Sequence, residues 1–342
     1  MRELKILAVV IVLTLITYWG VEPFAHSQMH PHVSPANFKF EEADKISAKE
    51  NIEKATKALE EAKKANNEKA IKGATATLEE VTTFDKTINE FWASNEEAIK
   101  ATGNVANGEV LVTSNCTACH SIESKGFPKL MDNASAGAAY GVTPPDLGSA
   151  GKLYSKEYLV AFIKNPALAS KVSHKFVDGK AHPMPGYDWM QAQEIADMVA
   201  YLESIAPKEM TNKEVFSDAC QRCHDIKYAD MKGGSMSSFT AHNDIKTYMG
   251  KLPPDLSQYI RSRGAEYLQT FINDPQKQLE GTAMPRVGLT QESQAQVIKY
   301  LEEIGDSKKA QREELGPKFL IYLVIFAIFA FLWKASRWRD VH

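Results

Sequence analysis

Two pentapeptides, CTACH at residues 116 to 120 and CQRCH at residues 220 to 224, take up all four cysteines of this 342-residue chain. Two thiols three positions apart can each bond one of the two vinyl groups of a porphyrin, and the histidine that follows then lies under the iron. That is the spacing of c-type haem attachment. Cys116, Cys119 and His120 would hold one haem, and Cys220, Cys223 and His224 a second. A lone CxxC suits a redox dithiol, and two pairs suit a structural zinc. Neither accounts for a histidine directly after each second cysteine. Two covalently attached haem c groups are therefore the expected cofactors. Their attachment on the oxidising side of a bacterial inner membrane implies export.

An iron held by histidine on one face needs a second ligand if it is to pass electrons without binding substrate, and a methionine sulfur there raises its potential. Met184 and Met284, each followed by proline, are the expected ligands. His174, His182 and Met190 compete with the first, and Met231, Met236 and Met249 with the second. His182 would give a bis-histidine haem of lower potential. A ligating histidine usually donates its other ring N–H to a carbonyl. The Pro-Pro turns offer such acceptors on rigid backbone, with Pro144 and Pro253 as the expected ones. Tyr187, Trp189 and Arg286 are candidates for contact with a propionate or a haem edge.

The elements that must position these groups occur twice. CTACH is followed by PPDL at 144 to 147, EYLVAFIKNP at 157 to 166, MP at 184 and 185, and MVAYL at 198 to 202. CQRCH is followed in the same order by PPDL at 253 to 256, EYLQTFINDP at 266 to 275, MP at 284 and 285, and VIKYL at 297 to 301. Each half reads as a helix leading to the haem motif, a loop, a short helix, a methionine loop and a final helix. Pro166 and Pro275 should stop the middle helices. Apolar spacing predicts the last helices over 191 to 204 and 291 to 304. No stretch alternates well enough to predict a sheet, so the expected fold is all-α.

Residues 41 to 103 are rich in Ala, Glu and Lys. Ile52, Ala55, Leu59 and Ala62 recur at helical spacing, as do Ile71, Ala74, Leu78, Val81, Ile88 and Phe91. Asn66 and Asn67 offer a turn between them, which predicts an antiparallel helical hairpin. A spacer or lid packed on the haem domains is the plainer role for it, and a docking surface the other.

Both ends address a membrane. Residues 6 to 24 are largely apolar and follow Arg2 and Lys5, reading as an uncleaved anchor rather than a signal peptide. Residues 319 to 333 (FLIYLVIFAIFAFLW) carry no charge and precede Lys334, Arg337 and Arg339, reading as a transmembrane anchor. Basic residues beside a span stay cytoplasmic, so both tails should be cytoplasmic and the haem domains periplasmic. The expected divisions are 1–40 (anchor and juxtamembrane segment), 41–103 (hairpin), 104–207 and 208–307 (haem domains) and 308–342 (anchor). A net charge of −3 gives no case for nucleic-acid binding.

With these motifs in place, each half resembles a class I cytochrome c domain, with an aromatic, Tyr201 or Tyr300, on its last helix. The whole chain is similar to the dihaem cytochrome c subunits that replace cytochrome c1 in the bc1 complexes of some bacteria. The resemblance covers both haem domains, residues 17 to 30 and the C-terminal anchor, and leaves the hairpin without a role. It implies a place beside cytochrome b and a Rieske iron-sulfur protein in quinol oxidation. A soluble cytochrome c or oxidase-linked acceptor would remove the electron. The haems would carry the chemistry, and no catalytic side chain is expected. A dihaem subunit of a cbb3-type oxidase, or a peroxidase-type enzyme with an open iron site, are the other readings.

Overall fold

The computed structural model describes residues 2–29, 33–140, 143–177, 181–234 and 241–341. The chain divides into two compact units, Met1–Ala36 and Asn37–His342. The described residues are mostly helical and form no strand, only the isolated bridges Ile122 to Phe127, Tyr154 to Leu289 and Ile226 to Met231.

The described part of the first unit is helical from Arg2 to Met29: α1 (Arg2–Ile16), a π turn (Thr17–Val21) and α2 (Glu22–Met29). Within it Glu3–Ala25 has a mean hydropathy of 2.2 and is long enough to cross a membrane. Its leucines, isoleucines and valines are exposed on every side, which suits a helix surrounded by lipid.

The second unit opens with the hairpin, α3 (Phe40–Lys64) and α4 (Glu68–Lys100). Asn66 takes the left-handed conformation at the turn, with φ 50°. Asn67 caps α4 by accepting the Ala70 N–H at 3.1 Å. The apolar positions from Leu59 to Val81 form a half-buried seam between the helices. The fully enclosed residues, Phe40, Ile88 and Trp92 among them, lie at the base of the hairpin. There they pack on Tyr158, Ala161 and Ala169 of the first half.

The first half comprises α5 (Val105–Asn115), α6 (Asn133–Tyr140), α7 (Ala150–Leu153), α8 (Lys156–Lys164), α9 (Pro166–Ala169) and α10 (Ala192–Ile205). Its first and last helices cross closely because Gly103 and Gly108 lack side chains. A Cβ on Gly108 would lie 1.9 Å from the Asp197 carbonyl oxygen. The buried Asp197 carboxylate fastens the crossing, accepting from the Asn104 N–H and Asn107 Nδ2, both at 2.6 Å, and from Gln193 Nε2 at 2.7 Å.

The second half repeats the plan with α11 (Asn212–Ala219), α12 (Ala241–Met249), α13 (Tyr259–Arg263), α14 (Ala265–Asn273), α15 (Pro275–Gln278) and α16 (Gln291–Gly305). At its crossing, Phe216 and Tyr300 have ring centroids 5.2 Å apart. Pro166 and Pro275 do more than stop the middle helices. Each opens a new short helix at its first turn, capped by the preceding Asn165 or Asp274 side chain.

The halves interlock. Ser155 N–H donates to the Gly288 carbonyl at 3.1 Å, and Thr290 N–H to the Leu153 carbonyl at 2.9 Å. Leu153 is buried in the core of the second half. After α16, helix α17 (Lys309–Val341) contains a second segment, Lys309–Arg339, apolar and long enough to span a bilayer.

Two stability outcomes follow from the α5–α10 crossing. Gly108→Ala should destabilise the detergent-solubilised chain by about 1–3 kcal/mol in guanidinium unfolding, because a backbone oxygen occupies the place of the new methyl. Burial alone would push the Asp197 carboxyl up, but its three N–H donors prevail and hold it below the usual carboxylate range. A carboxylate with a depressed folded pKa stabilises above its unfolded pKa of about 3.9 and stops doing so as pH falls through the folded value. Below about pH 4, therefore, the wild type should lose stability more steeply with falling pH than Asp197→Asn.

Candidate functional site

Both haem motifs stand at the end of a helix and adopt one conformation. Cys116 N–H closes α5 on the Val112 carbonyl at 2.9 Å, and His120 N–H returns to the Cys116 carbonyl at 2.9 Å. In the second half, Cys220 N–H bonds the Phe216 carbonyl at 2.9 Å and His224 N–H the Cys220 carbonyl at 3.0 Å. This turn gathers two thiols and an imidazole at the end of each helix. The four cysteines are unpaired. Burial first, then the neighbouring motif cysteine, pushes the Cys116 and Cys220 thiols up to about 12. A redox dithiol uses a thiol lowered toward neutrality, whereas burial drives these two the other way. Among the described residues, no three His, Cys, Asp or Glu side chains converge to hold a metal ion, so the four cysteines do not form one zinc site.

The imidazoles are oriented from behind. His120 Nδ1 lies 2.8 Å from the Pro145 carbonyl oxygen, and His224 Nδ1 lies 2.9 Å from that of Pro254. A carbonyl only accepts, so Nδ1 carries the hydrogen and Nε2 keeps its lone pair for a metal. Burial also lowers the pKa of both rings, which favours the neutral, ligating form.

The acceptors are the second prolines of the two turns, which corrects the expectation of Pro144 and Pro253. The remainder of PPDL supplies the reason. Leu147 N–H donates to the Ser121 carbonyl and Leu256 N–H to the Asp225 carbonyl, each at 2.9 Å. Asp146 accepts the Glu123 N–H at 2.9 Å and Asp255 the Lys227 N–H at 3.2 Å. The tie reaches the residues just past each histidine, and the carbonyl nearest that tie comes under the ring. Pro144 instead lines a cleft with Ala118, Cys119, Met131 and Tyr140.

Met184 and Met284 are half-buried in their loops. His182 Nδ1 lies 3.0 Å from the Met184 carbonyl oxygen and 3.1 Å from the Met184 nitrogen, and the His182 ring meets Phe176 edge-on at 4.8 Å. The Nδ1 side of that rival ligand thus shapes the Met184 loop. Met284 packs against the second core, as does Cys220. Met190 is a core residue of the first half, and His174 is exposed. The Met231 sulfur accepts the Tyr300 hydroxyl at 3.0 Å, and the Met249 sulfur lies 3.5 Å from Lys175 Nζ. Met236 lies outside the described residues.

Tyr187 stands at the first motif, its hydroxyl donating to the Asn115 carbonyl at 2.9 Å, whereas Trp189 is exposed. Arg286 is turned away from the role expected of it. Its guanidinium is buried and held by Asp44 of the hairpin, with no face left for a propionate. Asp44 and its partners Trp92, Lys171 and Asp274 escaped sequence reading. The available signal was an acid four residues from both Phe40 and Ala48, on the apolar face of α3. After burial and the Pro145 bond, the charge of Arg222, inside the second motif, also acts to lower the His120 pKa. The two motifs are therefore within electrostatic range of each other.

Thiol pairs, a neutral imidazole with a free Nε2 and an all-helical frame together define a c-type cytochrome. The Cytochrome c family matches residues 105–206 and 211–305. The chain belongs to the cytochrome c family, whose members transfer electrons through covalently bound haem c. It is 26% identical over 157 residues to the ammonia monooxygenase gamma subunit of Nitrosomonas europaea, covering 34% of this chain and 67% of that protein. It also resembles a chain of a hyperthermophilic respiratory Complex III at 22% identity, covering 38% of this chain and 75% of that one with a TM-score of 0.31.

The carbonyl bonds lead to an NMR outcome. With labelled histidine in the reduced protein, the Nδ1 protons of His120 and His224 should exchange with water far more slowly than those of exposed His174. Equal rates would contradict the two carbonyl bonds.

Proposed function

We propose that this chain is a membrane-anchored dihaem cytochrome c. It relays electrons from a Rieske iron-sulfur protein to a soluble cytochrome c or an oxidase-linked acceptor. It would do so beside cytochrome b, as a subunit of quinol-cytochrome c reductase. The observation that carries this reading is the pairing of two alike CxxCH sites, each with its imidazole fixed on a proline carbonyl, with an apolar helix of membrane-spanning length at each end of the chain.

Cys116, Cys119 and His120 would hold the first haem, and Cys220, Cys223 and His224 the second. Met184 and Met284 would complete the two ligand sets, within haem domains at 104–207 and 208–307. A haem supplies reversible one-electron chemistry, and the protein sets its potential and surroundings. Burial keeps each imidazole neutral, and Pro145 and Pro254 fix its rotation. Thioether ligands hold the potentials high enough to accept electrons from an iron-sulfur donor. The basic residues beside the two spans support a topology with both tails in the cytoplasm and the haem domains in the periplasm.

A second reading takes its support from the Nitrosomonas europaea relative, which is named as a monooxygenase subunit. In that case the same relay would serve a membrane monooxygenase. Purification from membranes separates the two. Cytochrome b and a Rieske protein should accompany the chain, and a co-purifying monooxygenase would replace the first reading with the second. Met184→Ala and Met284→Ala should each leave haem attached and lower the potential of one centre in an optical redox titration. Two unchanged potentials would rule out the methionine ligands.

A further inference from the structure

Arg286 is the largest charged side chain in the interior, 1% exposed, and every polar group it has is engaged. Nη1 and Nη2 form a two-pronged contact with Asp44 at 2.8 and 2.5 Å, and Nε donates to the Asn273 carbonyl at 2.9 Å. Its backbone N–H donates to the Ser170 carbonyl at 2.9 Å. Its own carbonyl accepts the Tyr158 hydroxyl at 2.8 Å. The guanidinium also lies over the Phe40 ring, 5.1 Å from its centroid.

Asp44 is held in turn. It accepts Trp92 Nε1 at 3.1 Å and pairs with Lys171 at 3.3 Å, and Lys171 bonds Asp274 at 2.7 Å. Two cations and two anions thus form a closed, neutral cluster. Its members come from the hairpin (Asp44), the first half (Lys171) and the second half (Asp274 and Arg286).

Met284 lies two residues before Arg286, joined through Pro285, whose ring fixes its φ. A pinned Arg286 therefore fixes the base from which the Met284 sulfur projects. The corresponding position in the first half is Gly186, which packs on the Lys164 carbonyl, where an added Cβ would lie 2.6 Å from the oxygen. The Met184 loop is held instead by the contact of the Met184 backbone with His182 Nδ1 and by Tyr187 N–H donating to the Ile163 carbonyl at 3.0 Å. Of the two methionine loops, the second is the one bolted to the hairpin.

The geometry points to Asp44 as a positioning residue for the second haem: through the contact with Arg286, the hairpin holds the Met284 sulfur on its iron. This rests on the reading of Met284 as a ligand. The hairpin packs on the first half as well, but the ion contact reaches only the second methionine loop. A two-pronged guanidinium–carboxylate contact fixes angle as well as distance, which a neutral amide in place of Asp44 does not reproduce.

The test uses full-length, haem-loaded protein in detergent and follows the sulfur-to-iron charge-transfer absorption and the potential of each haem. Asp44→Asn should abolish that absorption at one haem and lower its potential, and Met284→Ala should alter the same haem. Tyr158→Phe, which deletes one hydroxyl and keeps the ion cluster, is the milder variant should Asp44→Asn fail to fold. There the sulfur should be displaced by roughly fivefold less added imidazole at that haem, the scale of one lost hydrogen bond. If Met284→Ala leaves both absorptions intact, the ligand assignment fails. If it removes one while the Asp44 and Tyr158 variants leave it unchanged, the positioning role alone fails. Simultaneous loss at both haems in those variants would show only general support of the fold and would overturn the assignment to Asp44.

Discussion

Taking a guanidinium out of water costs several kcal/mol, and that cost is offset only where its charge and its hydrogens are all met. Arg286 is met by the hairpin, by the first half and by its own half at once. Removing Asp44 of the hairpin would leave an uncompensated charge in the interior, and removing either of the other two would leave a buried donor unmet. The hairpin is therefore not an appendage to two finished domains. Its base completes them, with Phe40 and Trp92 excluding water from the ions they cover. The far part of the same hairpin, around the Asn66 turn, has no such role, and its side chains are exposed.

Much of this was legible in the sequence because the signals were local. The CxxCH motifs, the tandem order of elements, the turn at Asn66 and Asn67 and the apolar runs at both ends each depend on residues close together along the chain. What stayed hidden depends on partners far apart. Asp44 and Arg286 are 242 positions from each other, and neither residue type announces the other. The proline acceptors fall between these cases. The motif marked the turn correctly, but which of two adjacent carbonyls lies under the ring depends on how Leu147 and Leu256 tie the segment back to the chain.

The two halves differ where their polar partners are distant. Tyr201 and Tyr300 share a place on the last helix of each half. Tyr300 donates to the sulfur of Met231, whereas the Tyr201 hydroxyl is buried with no protein partner. At the position matching Met231, the first half has Phe127, which forms the matching bridge but offers no acceptor. Gly186 and Arg286 differ in the same way. Backbone features of the repeat persist, while side-chain networks have become particular to each half.

The carbonyl under each imidazole belongs to a backbone loop of a different length, 25 residues from His120 to Pro145 and 30 from His224 to Pro254. Both close to nearly the same distance because the Leu147 and Leu256 N–H bonds fasten each loop to the residue just past its histidine. The difference in length is taken up between those ends. Changes of length there can remodel the rim of the haem crevice, and with it partner choice, while the imidazole keeps its rotation. In this fold, recognition can evolve at one place and redox tuning at another.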